Sequence, residues 1–154
     1  MFVLVRHAHA GSKSTWSGPD AERPLSVKGR RQALGLAVAL RQVRIHAVWS
    51  SPMARCRRTV APLAQERQLM IRDQALLLPG GDVTALIAVL AEPTSAGTVL
   101  CTHGETLSGL LPQWQESATS DAPLDNPTAK GAAWIVRDFP GPRPQLHYIR
   151  PQPE

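Results

Sequence analysis

The apolar and polar positions of this chain fall into short blocks that predict strands alternating with helices. Phe2-Val3-Leu4-Val5 is an unbroken apolar run that stops at Arg6-His7-Ala8-His9, the pattern of a buried strand meeting a polar loop. A loop rich in Gly, Ser and Pro runs from Gly11 to Pro24. Ser26 is placed to cap a helix over residues 27–42, in which Ala33, Leu36, Ala37 and Leu40 share one face. Ile45-His46-Ala47-Val48-Trp49 reads as a second strand ending in Ser50-Ser51, and Pro52 suits the first position of a helix reaching Arg67. A third strand is expected to begin at Leu69-Met70-Ile71, and Leu78-Pro79-Gly80-Gly81 reads as a turn. The next helix, from Asp82 to Ala91, is stopped by Glu92-Pro93. Thr98-Val99-Leu100-Cys101 is a fourth strand, running into Thr102-His103-Gly104 and a short helix from Glu105 towards Leu111. Pro112 to Pro127 is polar and irregular, and Ala132–Phe139 and Gln145–Ile149 read as a terminal antiparallel pair.

This alternation predicts a three-layer α/β/α fold: a mostly parallel central sheet with an antiparallel C-terminal edge. The 154 residues suit a single domain over residues 1–150 with a frayed tail at residues 151–154. Hydrophobic residues at 43% and charged ones at 19% match a globular chain. No apolar run approaches the ~20 residues of a membrane span, and Arg6 interrupts the first run too early for a signal peptide. Cys56 and Cys101 are too few for a disulfide framework or a zinc site. A cytoplasmic protein without membrane partners is therefore expected, with a monomer as the default.

Charge narrows the partners. The chain carries a net +5, and 14 of its 17 basic residues are Arg, which points to phosphate in a nucleic acid, an acidic lipid or a small substrate. Three predicted strands end in reactive polar groups: Arg6-His7, Ser50-Ser51-Pro52 with Arg55, and His103-Gly104. Ligands of open α/β sheets bind at the carboxyl ends of the strands, so a parallel sheet would gather His7, His103, Arg6 and Arg55 at one mouth. Neutral imidazole is a nucleophile, and guanidinium groups hold phosphate oxygens through paired hydrogen bonds.

Val5-Arg6-His7-Ala8 resembles the Arg-His-Gly or Arg-His-Ala signature of the histidine phosphatase superfamily, the phosphoglycerate mutase-like fold. Ser50-Ser51-Pro52-Met53-Ala54-Arg55-Cys56-Arg57-Arg58-Thr59 and Thr102-His103-Gly104 resemble its second and third elements, in order. Arg23-Pro24-Leu25-Ser26-Val27-Lys28-Gly29 and Leu78-Pro79-Gly80-Gly81-Asp82-Val83 look like the small SixA-type phosphohistidine phosphatase branch. Ala10-Gly11-Ser12 with Trp16-Ser17-Gly18-Pro19-Asp20, and Lys130-Gly131-Ala132-Ala133-Trp134, resemble the phosphatase-like domain attached to some Nudix hydrolases, and no Nudix domain is expected within these 154 residues.

The resemblance implies that His7 becomes a transient phosphohistidine while Arg6, Arg55 and His103 bind the phosphate oxygens, with no metal and no cofactor. Ser12 or Ser14 would add a phosphate contact, and Gly104 and Glu105 would stand at the substrate. Larger phosphomonoesterases of the family place a glutamate between the second and third motifs to protonate a leaving alkoxide. Asp73-Gln74-Ala75-Leu76-Leu77-Leu78-Pro79-Gly80-Gly81-Asp82 contains none. Imidazole leaving from phosphohistidine, or phosphate leaving from an anhydride, needs much less such help, so phosphohistidine or an anhydride fits better than a sugar phosphate. Asp82, which also suits a helix N-cap, and Glu105 are the remaining candidate acids.

Bland roles are expected elsewhere. His9 reads as a rim residue, His46 as structural, His147 as exposed, and Cys56 and Cys101 as packing. Arg55, Arg57 and Arg58 cannot all face one pocket, because successive helical positions diverge by about 100°, so at least one of them is expected on a solvated face. Trp16 and Trp114 could flank the pocket mouth, with Trp49 and Trp134 in the core. The leading expectation is a phosphatase acting on protein phosphohistidine or a small phosphorylated compound. The alternatives are a nucleotide or dinucleotide polyphosphate hydrolase and a non-catalytic phosphate- or nucleic-acid-binding module. Scattered arginines with little aromatic interleaving argue against nucleic acid.

Overall fold

The computed structural model describes residues 1–114, 119–123, 126 and 128–152. Its strands are β1 (Phe2–Arg6), β2 (Ala47–Ser50), β3 (Ile71–Asp73), β4 (Thr98–Thr102), β5 (Thr119–Ser120), β6 (Ala133–Arg137) and β7 (Gln145–Ile149). Its helices are α1 (Val27–Ala39), α2 (Ala54–Glu66), α3 (Val83–Ala91) and α4 (Gly104–Leu110), joined in places by single 3-10 turns. The strands form one mixed sheet in the order β3-β2-β4-β1-β6-β7-β5. β1 to β4 are mutually parallel, β6 runs antiparallel to β1 and to β7, and β5 lies parallel on β7.

Side-chain alternation along the strands divides the interior into two halves. Val3, Val5, Val99 and Cys101 face Leu36, Leu40, Val60 and Leu63 of the α1–α2 layer. Phe2, Leu4, Leu100 and Trp134 face Leu86, Leu90, Leu107 and Leu110 of the α3–α4 layer. The unbroken apolar run of β1 is thereby explained, since both of its faces are covered. Each of these leucines is at most 2% exposed, so truncating one to Ala costs about 2–5 kcal/mol. The expected three-layer architecture with its antiparallel C-terminal edge is what forms. No helix among the described residues is long and apolar enough to cross a membrane.

Local signals set several boundaries. Ser26 caps α1 by accepting a hydrogen bond from Gly29 N at 3.0 Å, and Asp82 caps α3 by accepting one from Ala85 N at 3.1 Å. Other boundaries move. The second strand covers Ala47–Ser50 rather than 45–49, because Gly97 O takes the His46 and Ala47 amides before the β4 ladder begins. Pro52 stays outside α2, which starts at Ala54 behind Met53 and accommodates Pro62 within its length. The third strand begins at Ile71, where pairing with Val48 of β2 becomes available, and not at Leu69. β5 forms inside the stretch read as irregular, by pairing with β7. Within 112–127, residues 115–118, 124, 125 and 127 lie outside the described residues, as do 153 and 154 of the expected tail. Gln152 packs onto α1 at Gly35.

Candidate active site

The register of the parallel strands brings the two histidines together. Arg6 of β1 is paired with Thr102 of β4, and the ladder continues one step as His7 N donates to Thr102 O at 3.0 Å. In each strand the next residue is a histidine. His7 and His103 therefore leave the sheet side by side, with ring centroids 5.4 Å apart and planes inclined at 64°. By alternation both continue the Val3–Val5 and Val99–Cys101 face, the face that α2 covers.

The first turns of α2 close that side. Arg55 and Thr59 are four residues apart and share a helix face. Thr59 Oγ1 accepts from Ala8 N at 2.8 Å and donates to Arg55 O at 2.6 Å, which ties the segment after β1 to the helix. The Arg55 guanidinium donates to Asp20 O at 3.0 Å and pairs with the Asp20 carboxylate at 3.3 Å. Asp20 also holds Arg23 at 3.1 Å. Burial pushes the Asp20 carboxyl up, but the Arg23 hydrogen bond and the Arg55 charge outweigh it and hold the group below its ordinary value.

Arg6 projects towards the α4 side, where Gly104 makes room for it. A Cβ at residue 104 would stand 2.8 Å from Arg6 Cζ and 2.9 Å from Arg6 Nη2. The glycine of the His103-Gly104 pair thus seats a guanidinium. Arg6 Nη1 donates to the Thr128 carbonyl. Burial draws the Arg6 pKa down, opposed by the charge of Glu105.

His7 is 6% exposed, and its Nδ1 lies 2.9 Å from Ala8 O. That carbonyl can only accept, so Nδ1 carries the hydrogen and the Nε2 lone pair is left available. Burial, with the charges of His103, Arg55 and Arg6, lowers the His7 pKa from its ordinary 6.5 to about 3 against the Ala8 hydrogen bond. The ring is neutral at physiological pH, the state a nitrogen nucleophile requires. His103 is steadied on its Nε2 edge by Ser51 Oγ at 2.8 Å and Cys56 Sγ at 3.5 Å. Ser51 Oγ accepts from Met53 N at 3.3 Å, so the serine itself is anchored.

Three buried side-chain nitrogens have no hydrogen-bond partner among the described residues: Arg6 Nε, Arg55 Nε and His103 Nδ1. All three belong to the quartet singled out in the sequence. Leaving a buried polar group unpaired costs about 1–3 kcal/mol, and such atoms gathered around a neutral imidazole suit an oxygen-rich anion.

The remaining candidates are placed differently. Ser12 lies on an exposed loop with its hydroxyl 2.7 Å from that of Ser14. Glu105 is exposed in the first turn of α4, within the field of Arg6, and the Asp82 carboxylate is engaged in its cap. His9 is held by Ser26 Oγ at 2.7 Å and lines a cleft next to Arg6, in keeping with a rim position. Arg57 pairs with Asp73, away from Arg55. His147 is exposed and paired with Asp121 at 2.7 Å. Trp16 is exposed, whereas Trp114, expected near the pocket mouth, is buried against Phe2 and Phe139. Cys56 does more than pack, since its sulfur touches His103. Nothing in the sequence singles out Asp20, Ser51 or Thr59 individually for the site. Asp20 lies 35 residues from Arg55 in a loop with no periodic signal, and only the folded chain joins them.

Comparison with known proteins accords with this geometry. Residues 2–77 match the family model of the histidine phosphatase superfamily, branch 1. An 8-oxo-(d)GTP phosphatase of Mycolicibacterium smegmatis is 31% identical over 159 aligned positions, covering 99% of this chain and 48% of the relative. The chain therefore spans about half the length of that curated relative. A SixA-type protein of Nakamurella multipartitia superposes with a TM-score of 0.71 at 27% identity, over 98% of this chain and 95% of the other. The protein histidine phosphatase SixA, solved with tungstate, gives a TM-score of 0.73 at 19% identity over 94% and 92% of the two chains. The motifs at the strand ends, the family match and the shared fold together place this chain in the histidine phosphatase superfamily.

Proposed function

We propose that this protein is a phosphatase that passes a phosphoryl group first to His7 Nε2 and then to water. The observation that carries the reading is the buried, neutral His7 beside Arg6, Arg55 and His103, whose buried nitrogens lack partners among the described residues. In the first step the Nε2 lone pair attacks phosphorus, an N–P bond forms, and the bond to the leaving group breaks with its electron pair. Arg6, Arg55 and His103 donate to the equatorial oxygens and stabilise the charge spread over them. Water then cleaves the N–P bond, releasing inorganic phosphate and restoring His7. Asp20 keeps the Arg55 guanidinium aimed, and Ser51 keeps the His103 ring in place. Charge neutralisation is assigned to side chains alone, so neither metal nor cofactor enters the scheme.

The chemistry suits substrates whose leaving group is weakly basic, such as phosphohistidine in a protein or a small compound of similar lability. Asp82 is occupied as a helix cap, so a general acid would have to be Glu105, exposed and facing a guanidinium. SixA, a protein histidine phosphatase solved with tungstate, and the 8-oxo-(d)GTP phosphatase differ in named substrate, and both are named phosphatases. A second reading, hydrolysis of a phosphoanhydride, is favoured by the cationic cleft next to Arg6.

The test uses a chromogenic aryl phosphate in the presence of a chelator, with His7→Ala as the comparison. Turnover by the parent protein, with acid-labile and base-stable phosphate trapped on it, is expected. Undiminished turnover by His7→Ala would remove the proposed nucleophile. Phosphohistidine and nucleoside polyphosphates offered side by side would then rank the two substrate classes.

A further inference from the structure

Arg6 belongs to two places at once. One end of its environment is the His7 site, and the other is a cleft of about 690 Å³ that it lines together with His9, Lys28, Lys130 and Arg150. No carboxylate is among the described residues lining this cleft. Neither Lys28 nor Lys130 has an ion-pair partner among the described residues. Asp20, which could have offset the charge, is committed to Arg23 and Arg55.

The cleft is built, not incidental. Lys28 stands in the first turn of α1, and Gln32 follows it by one turn. Gln32 Oε1 accepts from His9 N at 2.9 Å, and its Nε2 donates to Lys130 O at 3.4 Å. One side chain thus bolts α1 to the His9 segment and to the Lys130 loop. Gly29 makes the approach possible, since a Cβ there would fall 1.9 Å from His9 O. The gathered cations oppose one another. Burial, then the charges of Arg6, Arg23, Arg55 and Lys28, pulls the Lys130 ammonium below its ordinary value. Burial, then Lys130, Lys28 and Arg23, does the same to His9. An anion entering the cleft relieves that repulsion.

We infer that the cleft is a subsite for a second phosphate, held by Lys28 and Lys130, so that the preferred substrates end in a diphosphate. This rests on the phosphoryl transfer to His7 proposed above. With the terminal phosphorus at His7, the next phosphate would be directed past Arg6, the residue that the site and the cleft share, towards Lys28 and Lys130. When His7 Nε2 attacks, the N–P bond forms and the terminal P–O bridge breaks. The electron pair remains on the bridging oxygen of the departing phosphate, where Lys28 and Lys130 meet the growing charge. Water later hydrolyses the phosphohistidine, giving inorganic phosphate. Cations at the leaving phosphate provide what a carboxylic acid supplies to an alkoxide, which accounts for a site with no committed general acid.

The experiment compares kcat/KM for ADP, for p-nitrophenyl phosphate and for a phosphohistidine peptide flanked by aspartates. It uses the parent protein, Lys28→Met/Lys130→Met and Lys130→Arg. Loss of two charge-assisted contacts is expected to lower the ADP to p-nitrophenyl phosphate ratio by about 30-fold or more, with Lys130→Arg retaining most of it. A ratio unchanged by the double substitution, both rates falling together, overturns the subsite. A loss confined to the acidic peptide overturns the diphosphate and assigns the cleft to acidic side chains near a phosphohistidine. Absence of p-nitrophenyl phosphate turnover in the parent protein is the separate result that sinks the phosphatase reading beneath it.

Discussion

Holding His7 neutral inside the site has a consequence for stability that can be measured without any substrate. The ordinary imidazole pKa of 6.5 is lowered to about 3 in the folded chain, chiefly by burial. Between those values the unfolded chain binds a proton at His7 that the folded chain refuses. The unfolded state therefore gains as pH falls, and folding stability must rise with pH across the window. Each pKa unit corresponds to about 1.4 kcal/mol. At about pH 5, roughly 1.5 units below the unfolded value, the folded state should have lost about 2 kcal/mol through this one residue. His7→Asn removes the titration while keeping a polar side chain of similar reach. Urea unfolding of both proteins at about pH 7 and about pH 5 gives a double difference in which the other titrating groups largely cancel. The variant should gain about 2 kcal/mol relative to the parent on going from the higher pH to the lower. Parallel pH dependences, agreeing within about 0.5 kcal/mol, the usual limit of additivity, would mean that His7 is not held neutral and would refute the assignment of a ready nucleophile.

Other substitutions probe how the site is assembled. Gly104→Ala places a methyl group 2.8 Å from Arg6 Cζ, so kcat/KM for an aryl phosphate should fall about 10- to 100-fold, consistent with a lost charged contact of about 1.5–3 kcal/mol. Thermal unfolding of that variant checks that the fold persists, and near-parental activity would dismiss the seat. Asp20→Asn leaves the Arg55 backbone contact and removes its carboxylate partner; activity is expected to drop roughly tenfold, mainly in KM, since the guanidinium is no longer aimed. Ser51→Ala removes the 2.8 Å partner of His103 and should lower kcat by about tenfold with KM little changed, so a loss in KM alone would contradict a positioning role. Across aryl phosphates with leaving phenols of rising pKa, rates should fall steeply, because no committed acid protonates the departing oxygen; a flat dependence would point to an acid at work.

The motifs and their order are legible because they are local. A run of apolar residues halted by Arg6-His7, and another halted by Thr102-His103, announces a buried strand ending in a polar site whatever the rest of the chain does. Ser26 and Asp82 are readable as caps for the same reason, since an N-cap bonds to an amide three residues away. Boundaries that depend on a partner are not. Ile71 enters a strand only where β2 offers Val48, and Thr119 and Ser120 form a strand only because β7 lies beside them. Trp114 reads as a loop residue in the sequence, and its burial comes from Phe2 and Phe139 closing around it.

By itself, then, the sequence determined the alternating strands and helices, the two histidines and the two arginines, because period, cap chemistry and strand-end composition are properties of neighbouring residues. Tertiary structure alone decided how they are tuned. The register Arg6 to Thr102 sets the His7 and His103 rings 5.4 Å apart, and burial at that point turns an ordinary imidazole into a neutral one. Asp20 reaches Arg55, Ser51 reaches His103 across 52 positions of chain, and Gln32 brings Lys28 and Lys130 to one cleft. These couplings depend on distance and dielectric, which exist only after the chain has closed on itself.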